Sequence, residues 1–142
     1  MNAEWFFVYG TLKCGQCREM CWPATPLQVQ TGFVRGSLID LVDYPGLLPG
    51  EDWVRGEIWQ IAAPQVTETL RVLDAIEGYQ VAGGSDNLYD RRRVEVYRAM
   101  EDRQPTVTAY TYWYVAPHPH SATLVPRSPQ RDYLEWPTGE TS

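Results

Sequence analysis

The sequence predicts an α+β domain, a small mixed-strand β-barrel flanked by helices. Three observations predict it. Five segments carry strand patterns, one strong helical pattern lies between the third and the fourth, and a poorer one follows the first. The chain of 142 residues reads as a single domain, 1–142, and 44% hydrophobic residues with 13% aromatics supply its core.

Trp5-Phe6-Phe7-Val8-Tyr9 is continuously apolar, the pattern of a strand buried on both faces. Gly10 and Thr11 break it, and Leu12 to Trp22 suits a short helix stopped by Pro23. Thr31 to Leu41 forms a second strand with Gly32 and Gly36 inside it, and Asp43-Tyr44-Pro45-Gly46 follows as a loop. Trp53 to Ile61 is the third strand, with Val54, Gly56 and Ile58 on one face. Thr67 to Glu77 is the best helix, with Pro64 and Thr67 at its start and Gly78 at its end. Asn87 to Tyr97 and Val107 to Val115 are the last two strands. From about residue 116 prolines dominate, which gives a loop that wraps the body, with a turn of helix near Tyr133.

The net charge of −6 offers no electrostatic footprint for nucleic acid or for an anionic membrane surface. No run reaches the length of a membrane span, and Trp5–Val8 is too short for a signal core, so a cytoplasmic protein is expected. Cys14, Cys17 and Cys21 make an odd count, which argues against a disulfide framework.

One residue breaks the helical pattern. Val66, Leu70 and Leu73 mark one face, and the next position on that stripe is Glu77. A carboxylate aimed at a core costs roughly several kcal/mol unless it is paired or protonated. Burial and the negative end of the helix dipole both raise a carboxyl pKa, which suits a general acid/base near neutral pH. The alternative is a last-turn glutamate bent out to solvent. Tyr9-Gly10-Thr11-Leu12 is a strand end followed by a glycine turn. Its successive N–H groups can form an anion-binding nest with Gly10 admitting a ligand close to the backbone, or they make an ordinary strand-to-helix turn.

Together these segments resemble the γ-glutamyl cyclotransferase-like family. Phe7-Val8-Tyr9-Gly10-Thr11-Leu12-Lys13 resembles its opening strand and substrate loop, and Leu73-Asp74-Ala75-Ile76-Glu77-Gly78-Tyr79 its catalytic-glutamate segment. Gly36-Ser37-Leu38, Tyr44-Pro45-Gly46, Val54-Arg55-Gly56-Glu57-Ile58-Trp59 and Tyr89-Asp90-Arg91-Arg92-Arg93-Val94-Glu95-Val96 are similar to the family's other segments, in the family's order. The resemblance implies a reaction in which the α-amine of a γ-glutamyl amide attacks its own γ-carbonyl. The products are 5-oxoproline and a free amine. It implies Glu77 as the proton shuttle, and a small-molecule γ-glutamyl amide bound by Tyr9, Gly10, Thr11, Leu12, Tyr44 and Tyr89, with no metal and no cofactor. The other reading is a binding module that keeps the pocket without turnover.

Three groups compete for attention. Cys14, Cys17 and Cys21 share one face of the short helix and read as small core thiols, since a closed zinc site wants four ligands and His118 and His120 lie far along the chain. Arg91 and Arg93 point one way and Arg92 the other. They could grip a carboxylate, but they read as a solvated face. Tyr89, Tyr110, Tyr112 and Tyr114 could line a pocket or simply pack.

Overall fold

The computed structural model describes residues 3–16, 18–42, 44–77, 88–118, 122–126 and 131–136. Cys17, Asp43, Gly78, Tyr79, Asn87, Pro119, His120, Pro129 and Pro137 lie outside them, with the expectations placed on those residues.

Among the described residues, a curled mixed sheet of six strands carries one α-helix. The strands are β1 (Glu4–Val8), β2 (Gln28–Asp40), β3 (Pro45–Ile61), β4 (Tyr89–Val96), β5 (Val107–Tyr114) and β6 (Thr123–Leu124), and the helix is α1 (Val66–Glu77). Their order across the sheet is β4-β5-β1-β3-β2-β6. β1 runs antiparallel to β3 and parallel to β5. The long β2–β3 hairpin runs from Gln28↔Gln60 to Asp40↔Pro45, with a bulge between Gly36 and Ser37 that bends it. The bend carries the start of β3 across to β5, where Leu47 pairs with Trp113. At the other end Phe33 and Tyr97 exchange backbone hydrogen bonds of 2.8 and 2.9 Å, which pins β2 to the end of β4 and curls the sheet into a barrel.

The continuous apolar run of β1 follows from burial on both faces. Phe7 lies in a cluster with Val34, Leu38, Leu47, Val54, Ile58 and Leu134, and Phe6 lies in another with Trp59, Val66, Leu73 and Tyr112. The second cluster seats α1, whose Leu73 and Thr69 are fully buried. Thr69 satisfies its hydroxyl by donating to Gln65 O at 2.8 Å. Gly56 is needed for close approach, because a Cβ there would stand 2.5 Å from Val8 O and 2.7 Å from the Phe7 ring.

Four expectations are corrected. Leu12 to Trp22 is a string of turns ending in one 3-10 turn, Glu19–Cys21, rather than a helix. Its described backbone closes turns between residues three apart, such as Gln16 N to Lys13 O and Glu19 N to Gln16 O, and its other bonds reach out of any helix: Arg18 N donates to Thr11 O, Cys14 N to Glu57 Oε1 and Trp22 Nε1 to Leu12 O. Cys14 and Cys21 therefore share no helical face, and both are exposed free thiols rather than core residues. Pro45 and Gly46 open β3 instead of closing a loop, since Pro45 sits at a strand start where no ladder N–H is required of it. Near Tyr133 there is no helical turn. Leu134 adds a parallel bridge to Val54, with Leu134 N donating to Trp53 O at 2.7 Å and Arg55 N to Leu134 O at 2.8 Å.

Candidate active site

β1 ends at Val8, and the turn 9–12 leaves the barrel between the opening of β3 and the C-terminal end of α1. There Phe7, Val8, Tyr9, Gly10, Thr11, Leu12, Arg18, Tyr44, Pro45, Glu77, Tyr89 and Tyr112 line a narrow cleft. A second lobe continues outward past Arg18, Tyr44, Ala75, Ile76, Glu77, Leu88 and Tyr89. All seven residues expected at the site, Glu77 with Tyr9, Gly10, Thr11, Leu12, Tyr44 and Tyr89, thus line one cleft from four separate parts of the chain.

Glu77 is partly buried at the last position of α1, and burial raises its carboxyl pKa to about 7 while the Arg18 guanidinium opposes the rise. The helix is held in place by its second acidic group. Asp74 accepts from Tyr112 Oη at 2.6 Å and pairs with Arg91 at 2.6 Å, which ties the end of α1 to β4 and β5. Arg91 is therefore a largely buried tether rather than part of a solvated face. Arg92 and Arg93 pair with Asp90 and Glu4 nearer the surface. Tyr110 packs under Phe6 and Arg93, and Tyr114 packs on Tyr89, so neither lines the cleft.

Two of the cleft tyrosines, Tyr9 and Tyr89, bond to the backbone. Tyr9 Oη donates to Tyr112 O at 2.6 Å and accepts from Leu47 N at 3.1 Å, while Tyr89 Oη donates to Pro45 O at 2.7 Å. These bonds fix the start of β3 against the turn. Burial, together with neighbouring acidic groups, pushes the Tyr9 and Tyr89 hydroxyls well above the ordinary tyrosine range, so both stay protonated.

The turn itself is held from behind. Lys13, the chain's only lysine, is buried, and its Nζ donates to Trp136 O at 2.6 Å. Desolvation lowers its pKa, an effect that Glu135 and Glu57 oppose. Lys13 N donates to Gly10 O at 3.1 Å. The amides of Thr11 and Leu12, by contrast, donate to no group among the described residues. They form a pair of donors beside the cleft. Gly10 is also required by packing against β3, since a Cβ there would lie 2.7 Å from Cδ and Cγ of Pro45.

Sequence reasoning missed Arg18, Pro45 and Tyr112 at the cleft. Arg18 was hidden inside the stretch read as a helix. Tyr112 was visible as one of the tyrosines on its strand, but nothing in the chain singles out the member that reaches Asp74. Among the described residues no cluster of three or more His, Cys, Asp or Glu side chains is placed to hold a metal, and no helix is long and apolar enough to cross a membrane.

Known proteins share this fold. The family described as "Gamma-glutamyl cyclotransferase, AIG2-like" matches residues 6–135. A gamma-L-glutamyl-butirosin B gamma-glutamyl cyclotransferase from Niallia circulans is 33% identical over 109 residues, 76% of this chain. The match spans 65% of that relative's length. The crystal structure of an AIG2-like protein from Mus musculus superposes with a TM-score of 0.62 at 25% identity, covering 84% of this chain and 82% of that one. A yeast gamma-glutamyl cyclotransferase specific to glutathione shares the fold at 12% identity, with a TM-score of 0.56 over 80% of this chain and 69% of its own. With a family match that runs from β1 to the segment behind the turn 9–12, this chain belongs to the gamma-glutamyl cyclotransferase, AIG2-like family.

Proposed function

We propose that this protein is a cyclotransferase that converts a γ-glutamyl amide to 5-oxoproline and a free amine, with Glu77 as the proton shuttle. The observation that carries the reading is a carboxyl whose pKa is raised to about 7, lining the same cleft as the amides of Thr11 and Leu12, which donate to no group among the described residues. A proton carrier and a pair of oxyanion donors around one carbonyl are what this chemistry requires. The α-nitrogen forms a bond to the carbon of the γ-carbonyl, closing the five-membered ring, and the amide C–N bond breaks. Two protons leave the α-ammonium and end on the departing amine, carried one at a time by the Glu77 carboxylate. The Thr11 and Leu12 amides receive the γ-oxygen as it gains charge. Because the nucleophile belongs to the substrate, the cleft has chiefly to hold the substrate curled.

The enclosed lobe at Tyr9–Leu12 suits the glutamyl group, and the outer lobe at Ala75, Ile76 and Leu88 suits the amine half. The test is a screen of γ-glutamyl amides that differ in the amine, read as 5-oxoproline release. Release from at least one, abolished in Glu77→Gln, is expected. A folded wild-type protein that releases none across γ-glutamyl amino acids, γ-glutamyl-lysine and γ-glutamyl-alkylamines would overturn the reading.

A further inference from the structure

The mechanism leaves one charged group of the cleft without a task. Arg18 lines both lobes, is half-buried, and its guanidinium has no hydrogen-bond or ion-pair partner among the described residues. Its backbone is not loose, since Arg18 N donates to Thr11 O at 2.8 Å, which folds it onto the turn. It is the only cation among the described residues that line either lobe. The remaining lining is neutral except for Glu77.

This inference rests on the proposed reaction. A γ-glutamyl group brings its α-carboxylate into a cleft that already holds one carboxyl. Two carboxyl groups in one partly buried site repel unless a cation stands between them or beside one of them. The ring that forms also keeps that carboxylate within a few bonds of the reacting carbonyl, on the side of the attacking nitrogen. We propose that Arg18 is the anchor for the substrate's α-carboxylate, so that the cleft takes only γ-glutamyl groups whose α-carboxyl is free. An N-terminal glutamine of a peptide has the same amine and γ-amide but an amide in place of that carboxylate, and it is excluded.

The test measures binding rather than turnover. 5-Oxoproline and its carboxamide differ only at this group, and isothermal titration gives the affinity of each for wild type, Arg18→Gln and Arg18→Lys. A hydrogen bond to a charged group contributes roughly 1.5–3 kcal/mol, so wild type should prefer the acid by about 10- to 150-fold. Arg18→Gln should bind both compounds alike, and Arg18→Lys, which keeps the charge, should keep part of the preference. Thermal unfolding of each variant confirms that the fold is intact. Wild type binding both compounds equally or not at all, or Arg18→Gln keeping the preference, would overturn the proposal. If 5-oxoproline binds with the expected preference yet no γ-glutamyl amide is turned over, the anchor stands and the catalytic reading falls.

Discussion

Replacing Glu77 with glutamine should separate catalysis from stability. In the unfolded chain this carboxyl has a pKa near 4.5, and in the native cleft burial raises it to about 7. The native state therefore binds more protons than the unfolded state between these values, and the contribution of Glu77 is fully present below about pH 4.5 and lost as pH rises through about 7. At about 1.36 kcal/mol per unit, the loss comes to about 3 kcal/mol. Glutamine has nearly the same shape and no charge to desolvate. The difference in unfolding free energy, wild type minus Glu77→Gln, should thus fall by about 3 kcal/mol between pH 4 and pH 8, leaving the variant the more stable protein at pH 8. Urea unfolding of both proteins at the two pH values measures it, since all other titrating groups cancel in the difference. Turnover should drop by about 10²–10⁴-fold in the same variant. A difference that stays flat with pH would mean that the carboxyl titrates as in water. The raised pKa would then be gone, and with it the main physical support for a shuttle.

Three further outcomes follow from the geometry. kcat/KM should rise with pH through about 7 as the Glu77 carboxylate forms, and in Arg18→Gln the inflection should move upward because the guanidinium lowers that pKa; a pH–rate profile of each protein reads it. Gly10→Ala should lose roughly 1–3 kcal/mol of stability in chemical unfolding, since its methyl would stand 2.7 Å from Pro45 and the turn must shift. Lys13→Met should cost roughly 1–3 kcal/mol by leaving the buried Trp136 carbonyl unpaired, and should raise KM by loosening the turn, which unfolding and steady-state kinetics measure together.

Much of this site was legible in the chain because its elements obey local rules. β1 reads as a doubly buried strand because Phe6 and Phe7 do face opposite clusters. α1 reads as a helix because its stripe from Val66 to Leu73 meets a core, and Glu77 stands out because it breaks that stripe at the helix's last turn. Such signals survive in sequence because periodicity is a property of neighbours along the chain. The segment 12–22 misled for the complementary reason. Its backbone closes short turns, such as Gln16 N to Lys13 O and Glu19 N to Gln16 O, while Arg18 N is drawn to Thr11 and Cys14 N to Glu57, 43 positions away, and such partners override weak local propensity.

By itself, then, the sequence determined β1, α1, β4 and β5, most of β2, the second half of β3 and the candidate proton carrier, since each rests on spacing or on a local break in it, but not the start of β3, β6 or the turns of 12–22. Only the tertiary structure decided what surrounds that carrier. The bulge at Gly36/Ser37 bends the hairpin so that Pro45 reaches Gly10, and the Asp74 contacts with Tyr112 and Arg91 hold the end of α1 over the turn. Lys13 binds a carbonyl 123 residues later, and Arg18 comes to share a cleft with Glu77. None of these pairings has a period or a motif. They arise because the curled sheet brings distant backbone into one place, and buried polar groups must find their partners where the fold puts them.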